Sequence, residues 1–235
     1  MYKPKKALLL IGSPKMNKSV SENLGMHILG MLRSCGLQTR VLNIARSVDS
    51  LAGRQDLVAH INECDMVILS CPLYVDSSPS FVIKALEIIA KNKIGAGYGG
   101  KGLLAIAHCG FPEAHQNQVA LDIYHRFATE LNFKWLGSLS FGMSPVINMR
   151  FLSVITRNVQ KALEITAGAI IGGRNIPSEA VKLSTKPFMP IWIYTFVGNL
   201  MWRFLALKNG VLDIAQRPAL GDHASTRRMP IINEG

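Results

Sequence analysis

Short apolar runs alternate with longer segments of helical period over the first 170 or so residues, the signature of a parallel sheet covered by helices. Residues 6–11 (KALLLI) are apolar without alternation, so they predict a strand buried on both faces. Residues 19–34 follow with Leu24, Ile28, Met31 and Leu32 spaced for one helical face, and Gly36 suits the stop. The same reading gives a strand at 38–44, a helix at 54–63, a strand at 65–70 and a helix at 80–90 that buries Val82, Ala85 and Ile89. After a glycine-rich turn at 95–102 it gives a strand at 101–107, a helix at 115–131, a strand at 133–140 and a closing helix at 153–169. Gly172-Gly173 marks a boundary. The expectation is a three-layer α/β sandwich around a five-stranded parallel sheet of order 2-1-3-4-5, over residues 1–173. Residues 174–235 then form a C-terminal helical extension, not an independent domain, with helices at 178–183 and 192–208.

Composition narrows the field. Of 235 residues, 49% are hydrophobic and 17% charged, which excludes disorder, collagen and coiled coil. Lys+Arg 26 against Asp+Glu 15 gives +11, a balance that attracts anions: a phosphorylated cofactor, a nucleic acid or an anionic membrane. The four cysteines, Cys35, Cys64, Cys71 and Cys109, contain no Cys-x-x-Cys, so no zinc or iron–sulfur ligand set is expected. The apolar run 7–11 is too short for a signal peptide, so a cytoplasmic protein is expected. Residues 187–202 carry no charge between Lys186 and Arg203, yet a spanning helix needs about 20 apolar residues.

Three loops carry candidate chemistry. The first strand ends in Gly12-Ser13-Pro14-Lys15-Met16-Asn17-Lys18-Ser19-Val20-Ser21, and a helix opens directly after it. Free backbone N–H groups and the positive helix end make such a loop an anion site. Ser13, Ser19 and Ser21 add hydroxyls, Asn17 an amide and Lys15 a charge; Ser19 with Glu22 also matches a helix-capping box. The third strand ends in Ser70-Cys71-Pro72-Leu73-Tyr74-Val75-Asp76, and the fourth in His108-Cys109-Gly110-Phe111-Pro112-Glu113. In this strand order all three ends meet at the crevice where such sheets bind ligands. Tyr74 and Phe111 with their prolines suit the two sides of a flat ring, and Gly110 permits close backbone approach.

Other motifs carry less. Residues 95–100 match G-x-G-x-x-G, but they follow a helix and open a strand, the reverse of a nucleotide loop. His108 and Cys109 are adjacent on a strand, so they point to opposite faces and make no nucleophilic couple. No metal site is expected, and no nucleic-acid role beyond the bare charge.

The GSPK loop with its serines, then Pro72-Leu73-Tyr74-Val75-Asp76, then His108-Cys109-Gly110-Phe111-Pro112-Glu113, resembles the flavodoxin-like NAD(P)H-dependent FMN reductases. The resemblance implies a flavodoxin-like fold and FMN held without a covalent bond. It places the phosphate on the loop from Ser13 through Lys15, Asn17, Ser19 and Val20 to Ser21. The ring then lies against Pro72, Leu73, Tyr74 and Val75 and against His108, Cys109, Gly110 and Phe111. It further implies NADH or NADPH as donor, a small acceptor such as a quinone or free flavin, and a homodimer or higher oligomer. Flavin chemistry requires no catalytic side chain. The alternatives are an electron-transfer flavodoxin, against which +11 argues, and a non-catalytic docking protein. The apolar stretch 187–208 is expected to be buried in the protein or its dimer, with peripheral membrane contact as the other fate.

Overall fold

Five strands, β1 (Lys6–Ile11), β2 (Gln38–Asn43), β3 (Met66–Pro72), β4 (Gly102–His108) and β5 (Lys134–Phe141), lie parallel in one sheet of order β2-β1-β3-β4-β5. The computed structural model describes residues 2–15, 18–92, 97–148 and 156–210. In register, Leu9 lies between Val41 on β2 and Ile68 on β3. Successive side chains leave a strand on opposite faces, and here both faces are covered. On one, Leu8, Leu10, Val67, Leu69, Leu103 and Ala105 cluster with residues of α2 (Ile44–Asp49), α3 (Leu51–Glu63), α4 (Ser80–Lys91) and α5 (Gln118–Glu130). On the other, Ala7, Leu9, Ile68, Leu104 and Ile106 pack with α1 (Val20–Ser34) and α7 (Arg157–Ile171). Burial on both sides is why these strands read as unbroken apolar runs.

The expected elements shift where local capping intervenes. The second strand stops at Asn43, because the Asn43 side chain accepts from Arg46 N and caps the six-residue α2. The helix expected at 54–63 starts at Leu51, capped by Ser50, whose hydroxyl accepts from Gly53 N at 3.0 Å. β3 continues to Pro72, opposite His108 of β4. A 3₁₀ turn, Ala114–Asn117, precedes α5, and a short helix, α6 (Ser144–Ile147), follows β5. Of the closing helix expected from 153, residues 153–155 lie outside the described residues.

The chain divides into two compact units, Met1–Ile191 and Trp192–Gly235. The first includes α8 (Ser178–Ser184), tied to β5 by Ser140 N donating to Ser184 Oγ at 3.2 Å and by Ile176 N donating to Leu136 O at 2.9 Å. Ala180 of α8 is fully buried. In the second unit the described element is α9 (Ile191–Lys208), none of whose residues is buried. Among the described residues, no helix is long and apolar enough to cross a membrane.

Candidate functional site

The site is built on the carboxyl ends of β1, β3 and β4. At the end of β1, Gly12 N donates to Ser70 O of β3 at 2.8 Å, so the chain leaves the sheet pressed against its neighbour. The loop beyond is pinned from three sides. Asn43 Nδ2 donates to Ser13 O at 3.2 Å, Lys15 N donates to Ser13 Oγ at 3.2 Å, and Asn148 Nδ2 donates to Lys18 O at 2.8 Å. Lys18 adopts a left-handed backbone, φ 56°. Ser19 then caps α1, its Oγ accepting from Glu22 N at 3.1 Å. A hydroxyl that accepts one bond still has a proton to donate, so capping leaves Ser19 able to serve an anion. Asn17 lies outside the described residues.

At the end of β3, Tyr74 and Ser77 exchange backbone hydrogen bonds of 2.8 and 3.1 Å around Val75 and Asp76. Both central residues have positive φ, 48° and 60°. That is the backbone of a primed turn, which favours Gly, Asn or Asp; a β-branched valine there is strained. Val75 is 98% exposed, so its side chain has no packing to lose. Val75→Gly is expected to stabilise the protein by about 1 kcal/mol, read as a rise in melting temperature of about 2–4 °C. A fall would show that the turn depends on the valine.

A cavity of about 260 Å³ opens between these loops. Ser13, Lys15, Ser19 and Val20 line it on the β1 side, and Pro72, Leu73 and Tyr74 on the β3 side. His108, Cys109 and Gly110 come from the end of β4. Ser144 and Asn148, not singled out from the sequence, complete the wall. Ser144 opens α6 with its N–H on Cys109 O at 2.9 Å, and the Ser-Pro start of a helix was the one signal available for it. Asn148 had none. Ser21, Val75 and Phe111 are not among the lining residues. Ser21 is fully buried and turned to His108, Val75 stands at the tip of its turn, and Phe111 is half exposed.

Burial sets the protonation of the site. It lowers the His108 imidazole to about 4, so the ring is neutral at physiological pH. It pushes the Cys71 thiol up to about 12 and raises Cys109 as well. Both therefore stay as thiols, and Cys109 donates weakly to Phe111 O and Glu113 O at 3.8 and 3.7 Å. His108 lies on the α1 side of the sheet and Cys109 on the other, as alternation requires. The cavity thus sets the hydroxyls of Ser13 and Ser19 and the charge of Lys15 on one side against Pro72, Leu73 and Tyr74 on the other. Among the described residues, no cluster of His, Cys, Asp or Glu could hold a metal ion.

No protein-family model matches the chain, and no curated protein matches it in sequence. Solved structures do match. An apo NADH:FMN oxidoreductase, EmoB, is 16% identical with a TM-score of 0.55, over 79% of this chain and 96% of that one. RosB, solved with bound 8-demethyl-8-formylriboflavin-5'-phosphate, is 13% identical with a TM-score of 0.54, over 98% of both chains. A flavodoxin of Streptococcus pneumoniae TIGR4 is 15% identical with a TM-score of 0.51, over 72% of this chain and 97% of that one. Together with the sheet order β2-β1-β3-β4-β5, these likenesses show that the chain has the flavodoxin-like fold.

Proposed function

We propose that the chain binds FMN and transfers electrons from NADH or NADPH to a small acceptor such as a quinone or free flavin. The observation that carries this reading is the cavity itself. It joins a helix-capped loop bearing Ser13, Lys15 and Ser19 to an apolar wall of Pro72, Leu73 and Tyr74. That polarity, an anion at one end and a flat apolar body at the other, is the polarity of FMN. The likeness to EmoB, an NADH:FMN oxidoreductase, and to RosB, solved with a riboflavin phosphate derivative bound, supports it.

Bound there, the flavin supplies the hydride and electron chemistry. The protein's residues bind and orient. Ser13 and Ser19 hydroxyls and the first N–H groups of α1 hold the phosphate, and Lys15 adds charge. Pro72 and Leu73 form a dry wall for the ring, and half-exposed Tyr74 closes it toward solvent. Gly110 brings backbone near without a side chain. Val75, Ser21 and Phe111 belong to the same loops and shape them. With His108 neutral and Cys109 a thiol, both sit uncharged beside the ligand near pH 7.

The test is direct. Purified protein is expected to take up one FMN per chain and then oxidise NADH or NADPH with a quinone or free flavin present. FMN uptake without NAD(P)H oxidation would leave an electron carrier; no FMN uptake would overturn the reading. Ser13→Ala and Ser19→Ala are each expected to weaken FMN about tenfold, about 1.5 kcal/mol for one bond to a charged group. Fluorescence titration measures it, and unchanged affinity in both would reduce the loop to helix capping.

We further propose that a second copy of the chain covers α9. Trp192, Phe196, Trp202 and Phe204 are each about two-thirds exposed, on the order of 500 Å² of aromatic surface at 150–250 Å² per side chain. Leu200, Met201, Leu205 and Leu207 bring the helix near the roughly 800 Å² that one partner buries in a stable interface. A helix apolar over most of its circumference needs partners on more than one side. Analytical ultracentrifugation of the full chain is expected to give a dimer or higher oligomer, and the Trp192→Glu/Trp202→Glu variant a monomer. A monomeric wild type that sediments with anionic vesicles would instead assign the helix to a membrane surface.

A further inference from the structure

The ring wall of the cavity runs into a turn that does not hold itself. Pro72, Leu73 and Tyr74 line the cavity, and the chain then reverses through Val75 and Asp76, whose φ angles are 48° and 60°. A β-branched residue with positive φ persists only where its surroundings over-determine it. The Val75 side chain stands in solvent and supplies nothing toward that. The restraint therefore comes from either side of the turn. Before it, Leu73 N donates to His108 O of β4 at 2.8 Å. After it, Ser78 Oγ lies 2.6 Å from Tyr124 Oη of α5. This second tie joins residues 46 apart in sequence and is buried at both ends, with Tyr124 fully enclosed.

Packing alone gives no reason for a tyrosine at 124. The ring belongs to the apolar cluster of Leu69, Cys71, Leu73 and Val82, where a phenylalanine would fill the same space. A hydroxyl buried in such company costs free energy unless it is paired, and its partner is Ser78. Burial also raises Tyr124 well above its ordinary value, so the hydroxyl keeps its proton. The same hydroxyl interacts with the thiol of Cys71, the residue just before the ring wall. Tyr124 thus meets the segment 71–78 at both ends, with Pro72, Leu73 and Tyr74 between them, and it is not itself among the residues that line the cavity. We propose that Tyr124 is a positioning residue for the ring wall: its hydroxyl anchors Ser78, holds the Tyr74–Ser77 turn in place, and so sets the wall against the ligand without touching it. The effect on the ligand rests on the flavin reading above; the anchoring of the turn does not.

Two variants cut the same bond from opposite sides. Tyr124→Phe removes the phenol hydroxyl and keeps the ring, and Ser78→Ala removes its partner. Amide hydrogen exchange of the full-length protein without ligand reads the turn. The Tyr74 and Ser77 amides, which bond across the turn, are expected to exchange about tenfold faster in either variant. The Lys15 amide, bonded to Ser13 Oγ in the anion loop, is expected to keep its wild-type rate. Turn amides at the wild-type rate, or a Lys15 amide accelerated as much as they are, would overturn the proposal. Fluorescence titration then reads the ligand. FMN and riboflavin, which lacks the phosphate, are each expected to bind about fivefold more weakly to both variants. The double variant Tyr124→Phe/Ser78→Ala is expected to bind no more weakly than Tyr124→Phe, because the two changes remove one bond. Ser13→Ala is expected to weaken FMN and leave riboflavin alone. Wild-type flavin affinity in Tyr124→Phe, or losses that add in the double variant, would overturn the proposal. A wild-type protein that binds neither flavin would overturn the flavin reading itself, and the exchange rates of the turn would still decide the anchor.

Discussion

Gly12→Ala is expected to destabilise the protein by about 2–3 kcal/mol and to lower its melting temperature by about 5–10 °C. A β-carbon at this position would stand 2.2 Å from Cys71 Sγ, 2.9 Å from Val82 Cγ2 and 3.0 Å from Cys71 Cβ. None of these atoms can retreat cheaply. Cys71 and Val82 are fully buried, in the cluster that also holds Tyr124. Close-packed interiors transmit such a push into the backbone. The backbone nearest to hand is the Gly12 N to Ser70 O bond and the loop that starts at Ser13, so FMN affinity is expected to fall more than in Ser13→Ala. Gly30→Ala is the control. Gly30 lies inside α1 with nothing within 4 Å of its added carbon, and alanine is expected to stabilise that helix by up to about 1 kcal/mol. Thermal melts of the two variants, with flavin titration of each, decide the matter; a Gly12→Ala protein as stable as wild type would refute the packing argument.

The fold was legible because its strands are buried on both faces and bounded by strong turn chemistry. The runs KALLLI at 6–11 and KGLLAIA at 101–107 admit no helical period; the first coincides with β1 and the second lies within a residue of β4. What escaped notice was short or non-local. The helix α2 is six residues of IARSVD, too brief for a period to register, and it exists because Asn43 caps it. The candidate site divides the same way. Three loops could be assigned to one crevice because strand order alone brings the ends of β1, β3 and β4 together. Which side chains face that crevice depends on bonds across large separations. Ser21 reads as one more loop serine until its partner His108, 87 residues on, is seen to turn it inward. Asn148, 130 residues from the Lys18 carbonyl that it holds, belongs to no motif.

Acid is expected to remove about 3 kcal/mol of stability through His108 alone. Burial lowers its folded-state value to about 4, while the unfolded chain titrates near 6.5. Between those values the unfolded state binds a proton that the folded state refuses. Stability therefore rises with pH across this window and falls as pH drops. The contribution is complete above about pH 6.5, declines through pH 5 and is gone below about pH 4. At 1.36 kcal/mol per unit, the gap amounts to about 3 kcal/mol. Urea unfolding at intervals from pH 7.5 to 4 isolates the effect as the difference between wild type and His108→Gln, whose amide does not titrate. The glutamine variant is expected to lose less stability over this range, with the two curves converging in slope below pH 4. Parallel curves throughout would mean that the imidazole takes up its proton in the folded state. The lone bond to Ser21 would then not be enough to hold the ring neutral inside the sheet, and the protonated ring would have to find a second partner there.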